Sequence, residues 1–121
     1  MATRVLIVDD AKFMRHMIKT ILLGMGYEVV GEACDGEEAC TKYKELKPDI
    51  VTMDVVMPKV GGIEALKAIR AGDPSAKVIM ISAIDQREPL MEALKHGAVD
   101  YVVKPFEKDR VESALQRVTA G

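Results

Sequence analysis

The chain has 121 residues, 49% of them apolar and 30% charged, which suits one globular domain and argues against disorder. Seventeen Lys and Arg against nineteen Asp and Glu give a net charge of −2, so no basic excess exists to neutralise nucleic-acid phosphates. The apolar runs are strand-sized, far short of the roughly 20 residues that cross a membrane, and two cysteines are too few for a disulfide framework; a reduced cytoplasmic compartment is expected.

Val5 to Val8 reads as a first strand ending at Asp9 and Asp10, and from the opening MATRVLIVDD no secretory leader is expected. Phe13, Met14, Met17, Ile18, Ile21, Leu22 and Met25 are spaced as a broad helical face, stopped by Gly24 and Gly26. Tyr27 to Ala33 is a second strand. Asp35, three residues before Glu38, forms a capping-box pattern that opens a helix with Ala39, Tyr43 and Leu46 inward. Lys47-Pro48 closes it, since a residue before proline disfavours helix. Ile50 to Met53 is a third strand ending at Asp54, and a loop with Pro58, Gly61 and Gly62 follows. Ile63, Leu66, Ala68 and Ile69 lie on a third helix, ended by Gly72-Asp73-Pro74. Val78 to Ile81 is the fourth strand, ending at Ser82. Asp85 and Glu88 again resemble a capping box, Met91 and Leu94 face inward on the fourth helix, and Gly97 ends it. Val99 to Val103 is the fifth strand, ending at Lys104-Pro105. Val111, Leu115 and Val118 mark a last helix.

Strands and helices thus alternate five times. Strands apolar on both faces belong in a parallel sheet covered by helices, so residues 1–121 read as one doubly wound α/β domain with an aliphatic and methionine-rich core.

In such a sheet, ligands bind beyond the carboxyl ends of the strands. Asp9 and Asp10 follow strand one, Asp54 strand three, Ser82 strand four and Lys104 strand five. Singly, each has an ordinary reading as a cap, a turn residue or a solvated lysine. Together they place three carboxylates, a hydroxyl and an ammonium on one edge. The charges sum to −2, which a divalent cation cancels, and all-oxygen ligation suits Mg²⁺ better than zinc. This set has the parts for phosphoryl transfer, with Asp54, central in the sheet, as the carboxylate acceptor.

VLIVDD, IVTMDVVMP, VIMISA and YVVKPF resemble the four motifs of two-component response-regulator receiver domains, over essentially the whole chain. KFMRHMIKTIL and GEACDGEEA are similar to the stand-alone chemotaxis receivers of that family. The resemblance implies a flavodoxin-like (βα)5 fold with strand order 2-1-3-4-5 and no output domain. It implies that Asp9, Asp10, Asp54 and the main-chain carbonyl of Val56 hold Mg²⁺, and that Asp54 is the phosphoacceptor. Lys104 and Ser82 would bind the phosphoryl group, Ser82 and Tyr101 would form the switch, and Lys104-Pro105 would be a cis peptide. The implied partners are a chemotaxis-type sensor histidine kinase, the flagellar motor switch protein and a phosphatase. A monomer is expected, with neither nucleic acid nor membrane as partner.

Leu90 falls outside the Met91–Leu94 stripe and reads equally as an exposed apolar anchor beside Tyr101, on an output face of helix four, strand five and helix five, or as a partly buried helix residue. Cys34 and Cys40 are expected to be small, partly buried residues, and His16 and His96 to bind no metal. Val56 and Ile84 stand where polar side chains are frequent in the family, which implies slow self-dephosphorylation. Gly61 stands where Asp or Asn is frequent, which implies a more mobile loop after Pro58. Alternatives are a phosphorelay intermediate serving a histidine phosphotransfer protein, and a docking-only receiver. A flavin carrier is disfavoured, because Asp9 and Asp10 would repel a phosphate where the cradle should be.

Overall fold

The computed structural model describes residues 2–83 and 86–120. In chain order the elements are β1 (Arg4–Val8), α1 (Lys12–Gly24), β2 (Glu28–Ala33), α2 (Gly36–Leu46), β3 (Ile50–Asp54), α3 (Gly62–Gly72), β4 (Val78–Ala83), α4 (Arg87–Lys95), β5 (Asp100–Lys104) and α5 (Lys108–Ala120). The strands form one parallel sheet in the order β2-β1-β3-β4-β5, as expected. β2 and β5 begin one residue later than the sequence suggests; Val99, just ahead of β5, is 44% exposed.

Successive residues of a strand point to opposite faces, and the apolar runs therefore feed two cores. Leu6, Val8, Val51, Met53, Val78 and Met80 meet Ala39, Tyr43, Leu66, Ile69 and Ala93 from α2, α3 and α4. Val5, Ile7, Ile50, Ile79, Ile81 and Val102 meet Ile18, Ile21, Leu22, Val111 and Leu115 from α1 and α5.

The helix ends follow local chemistry. Asp35 caps α2 by accepting the Glu38 N–H at 2.8 Å, while Glu38 reaches back to the Cys34 N–H at 2.7 Å, one residue beyond the usual box partner. α2 closes on Lys47 in the left-handed region, at φ 47°. The Arg4 guanidinium takes up the Leu46 and Lys47 carbonyls at 2.8 and 2.9 Å, satisfying acceptors the helix leaves open. Gly26 and Gly97, both at positive φ, follow α1 and α4.

Four expectations need correction. Phe13 is 73% exposed: at 100° per residue it lies about 140° around α1 from Ile18, off the buried face. On α4 the buried pair is Leu90 and Ala93, whereas Met91 (52%) and Leu94 (36%) are exposed. The face is centred between Leu90 and Ala93, which leaves Met91 about 130° away. Leu90 is therefore a core residue and not an output anchor. Cys34 is exposed, because it follows the end of β2 ahead of any helix that could cover it; Cys40 is half-buried. Ile84 and Asp85 lie outside the described residues, and with them the second capping box and one flank of the site. Among the described residues, no helix is long and apolar enough to cross a membrane.

Candidate phosphoryl-transfer site

Asp9, Asp10, Asp54, Ser82 and Lys104 arrive at the carboxyl edge of the sheet on four strands. β1 ends beside Asp9 and Asp10, β3 ends on Asp54, β4 carries Ser82 in its last turn of pleat and β5 ends on Lys104. Carboxylate oxygens of Asp9, Asp10 and Asp54 lie within 4.8 Å of one another. Asp9 and Asp54 are buried and Asp10 is exposed, so the cluster opens to solvent on one side. The Lys104 ammonium sits between the two buried carboxylates, 3.2 Å from Asp9 Oδ2 and 3.4 Å from Asp54 Oδ1. Asp9 Oδ1 accepts the Ala11 N–H at 2.9 Å, which fixes that carboxylate at the mouth of the β1–α1 turn.

Burial pushes the Asp54 carboxyl up to about 6, and the negative charge of Asp9 adds to the rise. The Lys104 charge and hydrogen bond offset only part of it. Like charges packed this closely want a cation. The donor set is all oxygen and carries −3 before the ammonium is counted, which fits a hard divalent ion such as Mg²⁺. Ser82 Oγ is buried and has no hydrogen-bond partner among the described residues, so the edge also holds a donor that they leave unused. The Lys104-Pro105 peptide is cis, as the resemblance implies. Val56, two residues past Asp54, exposes 57% of its surface. Tyr101 is 37% exposed on β5.

Sequence reasoning missed residues that hold this edge in place. Arg15 donates to the Asp9 carbonyl at 2.7 Å and pairs with Glu32 at 3.1 Å, tying α1 to β1 and β2. Gly62 packs so closely on the strand end that a Cβ there would overlap the Asp54 carbonyl. Its N–H donates to the Val55 carbonyl at 2.9 Å. Gly36 does the same for the loop after Asp54: its N–H donates to Val60 O, and a Cβ would overlap that carbonyl. The Gly-Gly pair was visible as a turn signal, but the close approach it permits was not.

Comparison with known proteins agrees with this geometry. The response regulator receiver domain family matches residues 5–116. The chain is 57% identical over 119 residues to the chemotaxis protein CheY of Thermotoga maritima, covering 98% of this chain and 99% of that protein. It is 53% identical over 117 residues to the chemotaxis protein CheY of Bacillus subtilis, covering 97% of this chain and 98% of that one. Among solved structures, CheY in the CheX–CheY–BeF3–Mg²⁺ complex of Borrelia burgdorferi superposes with a TM-score of 0.92 at 39% identity, covering 97% of this chain and 89% of that one.

A parallel five-stranded sheet with three clustered carboxylates and a lysine at its carboxyl edge, matched over nearly its whole length, places the chain in the response regulator receiver domain family. Within two-component signalling it is a CheY-like receiver of the chemotaxis group, a signalling protein and not an enzyme of the ordinary kind.

Proposed function

We propose that Asp54 accepts a phosphoryl group from a sensor histidine kinase in a Mg²⁺-dependent reaction, and that the modified protein signals by binding the flagellar motor switch. The observation that carries this reading is the Asp9–Asp10–Asp54 cluster bridged by Lys104. An Asp54 carboxylate oxygen bonds to phosphorus as the bond from phosphorus to the donor histidine nitrogen breaks, leaving an acyl phosphate. Mg²⁺, held by Asp9, Asp10, Asp54 and the Val56 carbonyl, supplies positive charge to the phosphoryl oxygens when bound. Lys104, already aimed at Asp54, holds a phosphoryl oxygen from the other side.

The switch follows from the same parts. Phosphorylation turns a carboxylate of charge about −1 into a group near −2 with strong acceptors. Ser82, whose hydroxyl has no partner among the described residues, moves to donate to it, and Tyr101 turns into the space that opens. The output face is the apolar surface of Met91, Leu94, Val99 and Tyr101, on α4 and beside and within β5. Such a patch suits the apolar side of a docking partner. The Borrelia CheY is bound to CheX, and a CheX-like phosphatase that resets the signal is part of the reading. The setting is the cytoplasm, where kinase, receiver and motor base meet.

The test is incubation with Mg²⁺ and a small acyl phosphate, followed by intact mass. Wild type is expected to gain one phosphoryl mass and Asp54→Asn none. Equal gains, or none in wild type with the fold intact, would remove Asp54 from the role.

A further inference from the structure

Tyr101 is held from a direction the switch reading does not use. By the alternation of β5, Tyr101 and Val103 belong to the face covered by α4, while Val102 points into the core of α1 and α5. The Tyr101 ring lies at the sheet edge, however, and its cover comes from α5: the Arg110 guanidinium sits over the ring, 5.8 Å from its centre. Arg110 Nη2 also donates to the Tyr101 carbonyl at 2.6 Å and lies 3.8 Å from Asp100 Oδ1. Arg117 takes the other Asp100 oxygen at 2.8 Å. The ring also borders a cleft of about 390 Å³ lined by Ser82, Leu90, Met91, Leu94 and Val103.

We propose that Arg110 is a positioning residue that holds Tyr101 outward and so sets the resting bias of the switch; the inference rests on the reading of Tyr101 as the moving element. Only contacts that differ between two states shift their balance. The bond from Arg110 to the Tyr101 carbonyl is to main chain and survives rotation of the ring. So does the Asp100 pairing. The cation stacked on the ring does not: turning the ring into the cleft removes its face from the guanidinium. The ring contact alone is the bias, and at an exposed site it favours the outward ring by about two- to fivefold. Arg110 thereby opposes activation before phosphorylation and is released when Ser82 moves.

The experiment uses the full chain labelled with 3-fluorotyrosine and read by fluorine NMR, with the Tyr101 resonance assigned by Tyr101→Phe. Mg²⁺ with beryllofluoride, a phosphoryl mimic, defines the inward position in wild type. Without the mimic, Arg110→Ala is expected to displace the resonance toward that position, by about a two- to fivefold rise in the inward-to-outward ratio. Arg110→Lys restores part of the wild-type position, because a cation can still face the ring. Arg117→Ala leaves it unchanged, since Arg117 pairs with Asp100 while the cation over the ring is that of Arg110. If Arg110→Ala unfolds, Arg110→Gln decides, as it keeps a donor for the carbonyl and removes the charge. A wild-type resonance that responds to the mimic, with Arg110 variants unmoved without it, overturns the role of Arg110 and leaves the switch reading standing. A wild-type resonance that ignores bound mimic removes Tyr101 as the moving element, and the role of Arg110 falls with it.

Discussion

Replacing Asp54 with Asn is expected to make the metal-free protein more stable above neutral pH, even though it removes the proposed phosphoacceptor. The carboxyl is raised from 3.8 to about 6 by burial and by Asp9. A rise of roughly two units corresponds to a ceiling of about 3 kcal/mol, at about 1.4 kcal/mol per unit. The cluster opens to solvent beside Asp10, and screening there reduces the effect to about 1–2 kcal/mol. The sign follows from linkage. An acid raised in the folded state gives stability that is full below its unfolded value and is lost as pH rises through about 6. The asparagine protein cannot ionise and keeps that stability. The difference between the two proteins is therefore near zero below about pH 4, grows between about pH 4 and 6, and is full above about pH 7. Urea unfolding in the presence of a chelator measures it, and the melting temperature at pH 7.5 should rise by about 5 °C. Saturating Mg²⁺ should narrow or reverse the gap, since a ligand at 100 times its dissociation constant adds about 2.7 kcal/mol to the form that binds it. A stability difference that is absent at pH 7.5, or constant from pH 4 to 8, refutes the reasoning.

Three further outcomes follow from the same structure. Gly62→Ala places a methyl against the Asp54 carbonyl and should cost about 1–3 kcal/mol in urea unfolding while slowing phosphorylation, because the strand end must shift; an unchanged midpoint would show that the loop yields freely. Thr52→Val removes a hydroxyl that is buried without a partner among the described residues, so the protein should gain about 1 kcal/mol, read as a higher melting temperature; a loss would mean that hydroxyl is bonded. Val56→Asn puts a polar group beside the site and should speed decay of the phosphorylated protein about tenfold, or about 1.4 kcal/mol in barrier, followed by intact mass after donor removal; an unchanged lifetime would separate that side chain from water access.

Much of this was legible in the residues, for a reason that can be stated. Each strand is an apolar run that ends abruptly in a polar residue, and a parallel sheet sends all those ends to one edge. Asp9, Asp54, Ser82 and Lys104 could therefore be brought together without a structure. Helix phase was less legible. On α4, only nine residues long, Leu90, Met91 and Leu94 are apolar on adjoining sides, and the pattern cannot say which pair faces the sheet. Phe13 fitted a broad stripe on α1 whose buried part is narrower. Contacts between distant, patternless residues were not legible at all. Gly62 meets Asp54 across a loop, and Arg110 reads as one more charge on a solvated helix until its position over Tyr101 is seen.

The pleat of the sheet divides the interior into two oily compartments that, among the described residues, share no side chains. Tyr101 belongs by its strand position to one compartment and is covered by a residue from the helix of the other. It sits on the seam. With Tyr101 as the moving element proposed above, a repacking of either compartment, α4 with its cleft or α5 with its arginines, alters the balance at the same ring without touching the carboxylates. Sensitivity to a given dose of phosphate can thus be tuned from two independent sides, while the chemistry at the strand ends stays as it is.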